Sequence, residues 1–373
     1  MGVGNDDYPE VFLDCLVDLF QDPKSWYREE GLVDMSVGPH TYLIYHSLQM
    51  KAAGWDTDID EVAAVSGASA LFGYEHGSYM PKYAFRRLDP KKRIAEATGF
   101  GIGEIHFDSA EGAWDIMKES VDSGRPVKGE HFEAILFAGY QDAANRDDRK
   151  IFAISEGPGD SKKSWTWKEF ASWVMQWSHG KLERHAERFE AEDPKSTAIR
   201  VIKDLVNWSE KPPEDIQSEY NNAVFGLAGI EAYADACEDM EKYPDFGMCH
   251  DMNSQWPTRK SSAVYLESVA KKGLLPEKLN EDLLAASKEY LSAYQSWVNV
   301  YNKISWAVPE ELRQARTALA KQLKTTNNPS EILNNPMWAL WIKDRSSATQ
   351  SIRKALSHEK AAITALKNVL GSL

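Results

Sequence analysis

The sequence predicts an α+β domain with a mostly antiparallel sheet over residues 1–192, followed by an all-α domain over residues 193–373. Two apolar runs that flank a polar turn have the pattern of a β-hairpin. Apolar residues with helical spacing precede this hairpin, and strand signals disappear after about Asp193. Strands and helices that are segregated along a chain in this way are typical of α+β folds.

Composition indicates a folded protein and excludes several classes of partner. A hydrophobic content of 43% with 13 Trp, 15 Tyr and 13 Phe excludes a disordered chain. The net charge of −14 repels phosphate backbones and anionic lipid surfaces, so we expect neither nucleic acid nor a membrane as a partner. The length of 373 residues is enough for two to three domains with substantial cores.

Three cysteines, Cys15, Cys237 and Cys249, are too few for a disulfide framework, and their odd number favours a reducing compartment. The amino-terminal residues lack the basic and apolar regions of a signal peptide, and no apolar run approaches ~20 residues. Asp6 stands where a myristoylation signal has Ser or Thr, so acylation of Gly2 is not expected. We therefore expect a cytoplasmic protein.

Helical periodicity recurs through the first half of the chain, at residues 8–20, 40–53, 58–72, 110–120 and 165–173. Gly54 ends the helix predicted over residues 40–53, and the apolar residues of this helix indicate that it is buried. Gly99, Gly101 and Gly103 superficially resemble a phosphate loop. They lack the following helix pattern and the Lys-Ser/Thr of a nucleotide site, so we do not expect them to bind phosphate.

His131 stands at the head of the predicted hairpin. The apolar run 132–138 follows it, Gly139 and Tyr140 close that run, and residues 151–154 form the second strand. A histidine at the mouth of a buried strand can meet a side chain from a distant helix, because the sheet fixes the position of its ring. The simpler interpretation is a strand-end histidine held in a hydrogen bond.

The second half is predicted to be helical, at residues 197–208, 224–240, 260–270, 281–304, 310–323 and 348–370. Prolines separate these runs, and no repeat of fixed period is present. Aromatic residues lie at helical spacing in one of the runs, and we interpret this stripe as core packing. Its members are Tyr290, Tyr294, Trp297 and Tyr301.

Gly124, Pro126 and Val127 precede His131, and Gly139 and Tyr140 close the apolar run that follows it. This histidine block resembles that of papain-like proteins. The similarity is to the bacteriocin-processing (double-glycine) peptidases and to the amino-terminal domain of butirosin biosynthesis protein H. In those families a cysteine begins the central helix, a histidine opens the strand before Gly-Tyr, and Asp or Asn follows on the next strand. The matching residues are Gly124, Pro126, Val127, His131, Gly139 and Tyr140. The resemblance implies a papain-like domain, and residues 225–240 are similar to the helical extension of some butirosin-protein-H-like chains.

The family cysteine is replaced in this chain. In the relatives the catalytic cysteine lies 13 residues before the glycine that ends its helix. The same spacing from Gly54 gives Thr41, and His40 before it matches the His-Cys pair of the butirosin-type sequences. An alignment on the Gly-Pro pair places Val37 at that position instead. A threonine hydroxyl is far less acidic than a thiol, and known threonine nucleophiles usually borrow an N-terminal amine that an internal residue lacks.

Two functional hypotheses follow from the resemblance. The first is a catalytically disabled scaffold that keeps a cleft for a peptide, amide or small acyl ligand. The second is a hydrolase or acyltransferase with Thr41 as nucleophile, His131 as base and Glu156 as the group that orients the imidazole. Glu156 stands before Gly-Pro where the family usually has Asp-Pro. His40, Ser155 and Tyr140 are the ligand-binding candidates.

A metal site built from His40, His46, His76 and His131 is a weaker idea. His40 and His46 would lie roughly 240° apart around a helix rather than on one face, so we expect no metal and no cofactor. Thr41 also has a purely structural interpretation as a residue that caps or packs in the first helical turn. Partners are expected to be a small-molecule or peptide ligand, with self-association through the helical domain left open.

Overall fold

The computed structural model describes residues 8, 10–13, 16, 40–78, 80–130, 134–154, 163–247, 254–305 and 308–373. These residues divide into two compact units. The first unit contains residues 40–62 and 94–192 together with the described residues before them, and the second contains residues 63–93 and 193–373. Two of the boundaries between the units, after residues 62 and 93, fall inside helices. These helices are α2 (Ile59–Ser66) and α3 (Pro90–Thr98).

An antiparallel sheet is the centre of the first unit, as the sequence predicts. Its strands in the described residues are β1 (Glu10–Phe12), β3 (Phe100–His106), β4 (Val127–Glu130), β5 (Ala134–Gln141), β6 (Lys150–Ile154), β7 (Lys163–Thr166) and β8 (Lys181–Arg188). Their order in the sheet is β3-β8-β4-β5-β6-β7, and β1 pairs with β5. Every pairing is antiparallel.

The predicted hairpin corresponds to β5 and β6. Leu136 pairs with Ile154 at one end and Gln141 with Lys150 at the other. The register shifts between Phe137 and Gly139, which indicates a β-bulge that changes the direction of the following side chains. The apolar runs therefore form paired, buried strands because neither could satisfy its backbone groups alone.

The helix predicted over residues 8–20 is wrong at its start, where residues 10–12 form β1. Val11 pairs with Tyr140 and Phe12 with Gly139. A Cβ atom at Gly139 would lie 2.5 Å from the carbonyl oxygen of Val11. The missing side chain thus lets β1 approach β5, and this tertiary pairing overrides the local helical spacing.

Helices cover both faces of the sheet in the first unit. They are α1 (Thr41–Ala52), α4 (Ala110–Asp122) and α5 (Trp167–Trp177). The Lys128 ammonium lies over the Tyr42 ring of α1, whereas a Cβ atom at the neighbouring Gly129 would meet Trp173 of α5. Adjacent residues of a strand face opposite sides, so α1 lies on one face and α5 on the other. Buried α1 confirms the helix predicted from residue 40.

Four strands of this sheet, β3, β4, β7 and β8, were missed by the sequence analysis. The helix predicted from residue 165 begins at Trp167, because residues 165 and 166 belong to β7. β8 carries charged residues at most of its positions, and β3 contains Gly101 and Gly103. Charge and glycine are both unfavourable in strands, but the two segments pair with each other along almost their whole length. The glycines considered as a phosphate loop therefore belong to a strand.

The second unit is helical, as the sequence predicts for the region after residue 193. The helices are α6 (Pro194–Glu210), α7 (Glu214–Glu219), α8 (Gly226–Glu238), α9 (Thr258–Lys271), α10 (Asn280–Ile304), α11 (Glu310–Thr325), α12 (Pro329–Leu333) and α13 (Ala339–Gly371). Among the described residues, no helix combines the length and apolarity needed to cross a bilayer.

One small strand pair departs from the prediction that strands end before residue 193. β2 (Gly73–Tyr74) pairs with β9 (Val224–Phe225). The Gln255 side chain forms hydrogen bonds with the backbone of β2. It accepts from the Gly73 amide at 2.7 Å and donates to the Gly73 carbonyl at 3.0 Å. A two-residue strand is too short to give a periodic sequence signal.

The predicted aromatic stripe of α10 is core, as expected. Tyr290, Tyr294, Trp297 and Tyr301 are all buried. Trp297 stacks on Phe72 with ring centroids 5.5 Å apart. Aromatic packing of this kind contributes both large buried area and specific ring geometry to the helical unit.

Replacement of Gly139 tests the pairing of β1. We expect Gly139→Ala to destabilise the protein by about 1–3 kcal/mol, because the added methyl group overlaps the β1 backbone. Chemical denaturation measures this loss, and hydrogen exchange at the Leu13 amide, which donates to the Ala138 carbonyl, should accelerate. Gly371→Ala is the control, since its Cβ meets nothing within 4 Å. Equal stability of the two variants would contradict this arrangement.

Candidate functional site

His40 caps the amino terminus of α1. Its Nδ1 accepts a hydrogen bond from the Tyr42 amide at 3.1 Å, and its side chain is buried. The first amides of a helix have no partner within the helix, so an acceptor at this position stabilises the first turn. The contact requires an unprotonated Nδ1. His40, a predicted ligand-binding residue, therefore has a structural task in the described residues.

Thr41 is the first residue of α1 and joins the helix to the sheet. Its Oγ1 accepts a hydrogen bond from the Ala134 amide at 3.3 Å, and the residue is 1% exposed. Ala134 begins β5 and stands three positions after His131 in the sequence. The hydrogen bond thus joins the first turn of α1, the predicted central helix, to the beginning of β5. This strand follows His131, the predicted base, in the sequence.

Three predicted site residues, His131, Ser155 and Glu156, lie outside the described residues, as does Val37. The proximity of Thr41 to the His131 ring, and of Glu156 or Ser155 to its other nitrogen, therefore remains a prediction. The described part of the chain positions only one member of the proposed triad, Thr41.

Tyr140 lies on the face of the sheet that carries α4. Its hydroxyl donates to Asp122 and accepts from the Lys118 ammonium at 2.6 Å. The Trp114 ring of α4 is 5.6 Å from the Tyr140 ring, and burial raises the pKa of the phenol. The Trp114 ring is also 6.0 Å from the Trp167 ring of α5, so α4 shares the face of α5, whereas Thr41 belongs to α1 on the opposite face. The described geometry therefore does not bring these two predicted site residues together, and the ligand-binding role of Tyr140 stays a prediction.

A buried ion pair, which the sequence analysis missed, lies beneath α1. Lys128 Nζ of β4 is 2.9 Å from Glu183 Oε2 of β8, and both side chains are almost fully buried. The ammonium is 3.4 Å from the centroid of the Tyr42 ring. A desolvated charge pair is costly unless its geometry is good, and the aromatic face adds a cation–π contact.

Gln49 completes this polar layer. Its Nε2 donates to the Pro126 carbonyl at 3.2 Å and to the Glu183 carbonyl at 3.0 Å. One side chain of α1 thus binds the backbone at β8 and just before β4. His46 packs with its ring centroid 5.6 Å from that of Phe100. No sequence signal singles these residues out, because Lys and Glu in a strand are usually solvent-exposed.

The described residues contain one of the three cysteines, Cys237. Cys237 is buried in the helical unit, and desolvation raises the pKa of its thiol to about 11. A thiol of this kind is protonated at neutral pH and is a poor nucleophile. Cys15 and Cys249 lie outside the described residues. Within the described ranges, no group of three or more His, Cys, Asp or Glu side chains is arranged to hold a metal ion.

Variants of His40 test the cap on α1. We expect His40→Ala to lower the free energy of unfolding by about 1 kcal/mol, because the Tyr42 amide loses its acceptor. His40→Asn supplies another capping oxygen and should retain most of this stability. Urea denaturation measures both changes. A loss as large in His40→Asn as in His40→Ala would contradict capping as the main structural task.

The buried ion pair can be tested by a double-mutant cycle. We expect Lys128→Met or Glu183→Gln alone to destabilise by about 3–5 kcal/mol, since each leaves a buried group without its charged partner. The double variant should be less destabilised than the sum of the two single changes. Guanidinium denaturation of all four proteins gives the coupling. Strict additivity would show that the pair does not interact energetically.

Comparison with known proteins does not identify the site. No family model, curated protein or solved structure matches the chain.

Proposed function

We propose that the chain is a papain-like scaffold that has lost its nucleophile and binds a peptide, amide or small acyl ligand without hydrolysing it. The ligand would bind at the amino-terminal end of α1, and the task would be regulation or assembly. The observation that carries the proposal is the hydrogen bond from the Ala134 amide to Thr41 Oγ1. It supports a match between α1 and the family's central helix, since the strand it joins follows His131 in the sequence.

The same contact argues against Thr41 as a nucleophile. The hydroxyl oxygen accepts a backbone hydrogen bond, so one lone pair is engaged, and the residue is buried. A neutral hydroxyl also has to lose its proton to a base during attack, whereas a thiol beside a histidine is already ionised. Threonine is close to cysteine in volume. The exchange would therefore preserve the scaffold and remove the chemistry.

The alternative is a hydrolase or acyltransferase that uses Thr41, His131 and Glu156. This alternative needs the His131 ring within hydrogen-bond or one-water reach of Thr41, and it needs donors that stabilise the developing oxyanion. An internal threonine would depend wholly on His131 for deprotonation. We therefore prefer the non-hydrolytic scaffold and make turnover the deciding measurement.

Turnover by Thr41 variants separates the two functions. We would assay wild type, Thr41→Ala, Thr41→Ser and Thr41→Cys on a panel of peptides and acyl thioesters. We expect no turnover by the wild type and a gain of activity in Thr41→Cys, because a thiolate at the start of α1 restores the family nucleophile. Wild-type turnover that persists in Thr41→Ser and disappears in a folded Thr41→Ala would establish the threonine enzyme instead.

The role of His131 requires a second readout. The thiol of Thr41→Cys should react with iodoacetamide faster than that of Ala110→Cys, which occupies the same position at the start of α4. Both proteins would carry serine at the three native cysteine positions. The rate advantage should vanish in Thr41→Cys/His131→Ala, since the imidazole would no longer stabilise the thiolate. Equal rates with and without His131 would refute the papain-like correspondence.

A further inference from the structure

A groove with a basic lining lies at the β3–β8 edge of the first unit, among residues that the scaffold hypothesis does not use. Its volume is about 580 Å³. Arg125, Arg184, His185 and Arg188 line it together with small and apolar residues of the two strands. The groove is of the size that small-molecule sites have. Three arginines at one place are unexpected in a chain of net charge −14.

The strand pairing explains why there is room at this edge. Gly103 of β3 pairs with Arg184 of β8, and a Cβ atom at Gly103 would lie 3.2 Å from the Cβ of Ala186. Both positions therefore need small residues, and both line the groove. The register also shifts between Phe100 and Ile102, which bends the strands locally. The concave surface is built by the sheet itself.

Two of the three arginines have a contact that positions them, and the positive charge of the three is only weakly neutralised. Arg188 stacks over the Trp55 ring at 4.4 Å, which orients its guanidinium. Arg184 donates to Glu119 at 3.2 Å, and that carboxylate is largely exposed. Within the described part of the chain, neither Arg125 nor Arg188 forms an ion pair with a carboxylate. Their positive charge thus faces the groove without internal compensation.

His185 packs between aromatic rings beside the arginines of the groove. Its ring stacks on Phe100, with centroids 4.6 Å apart, and meets the edge of Trp55. Burial, followed by the charges of Arg125 and Arg188, lowers the pKa of the imidazole. Both ring nitrogens are buried, and the described residues provide neither with a hydrogen-bond partner. A buried polar side chain without a partner inside the protein is commonly satisfied by a ligand or solvent.

We propose that this groove binds a small molecule that carries a phosphate group. Guanidinium groups donate two parallel hydrogen bonds to phosphate oxygens, and several arginines together match a multiply charged anion. The negative charge of the whole chain disfavours a long polyanion, whereas a single phosphate needs only a local positive field. The site is separate from the amino terminus of α1 in its residues and in its chemistry.

Calorimetric titration of the full chain tests the proposal. We would titrate inorganic phosphate, pyrophosphate and ribose 5-phosphate at constant ionic strength, and we expect saturable binding. Arg125→Gln and Arg188→Gln should each weaken binding about tenfold or more, because each removes charge-assisted hydrogen bonds. Tighter binding of ribose 5-phosphate than of inorganic phosphate would show that the groove also contacts the organic part.

The control separates a site from a general charge effect. Arg146→Gln removes the same charge from an exposed arginine that does not line the groove, and it should leave the dissociation constant unchanged. The NMR signals of His185 should shift on saturation with pyrophosphate, which localises binding. Absence of saturable binding, an equal loss in Arg146→Gln, or equally tight binding of citrate would each overturn the phosphate site.

Discussion

The buried contact between α1 and the sheet is the constraint on which the first unit depends. Lys128 and Glu183 join β4 to β8 across the sheet, and Tyr42 covers the ammonium from α1. Two charges in a core are tolerated only where their geometry is fixed, so α1 has little freedom to rotate or slide. Gln49 adds hydrogen bonds to the same backbone region. The helix axis is therefore set by polar contacts within an apolar core.

The position of the first turn follows from this constraint. Because α1 is fixed along its length, Thr41 is held at the beginning of β5, where its hydroxyl oxygen accepts a hydrogen bond from the Ala134 amide. An enzyme uses such rigidity to hold a nucleophile within range of its base. A binding scaffold benefits equally, since a preorganised site loses less entropy when its ligand binds. The architecture is thus compatible with both proposals, and turnover distinguishes them.

Local patterns predicted the elements whose signals lie within one segment. The buried helix before Gly54, the β5–β6 hairpin and the long helices of the second half all have clear periodicity. β1 has helical spacing in the sequence, but its strand conformation depends on pairing with Gly139, far away in the sequence. β8 was missed because its charged residues suggest exposure, whereas Glu183 is buried by a partner on β4. Long-range pairing decides these cases, and no local pattern encodes it.

The same reasoning explains why the basic groove has no sequence motif. Arg125 follows α4, whereas Arg184 and Arg188 belong to β8, and only the antiparallel order of the sheet brings them together. The glycine-rich segment of β3 lacks the following helix and the Lys-Ser/Thr of a phosphate loop, and it is a strand. Gly103 nevertheless contributes to the groove by leaving space beside Arg184. Glycine can thus shape an anion site by the absence of a side chain, without the backbone amide cradle that defines a phosphate loop.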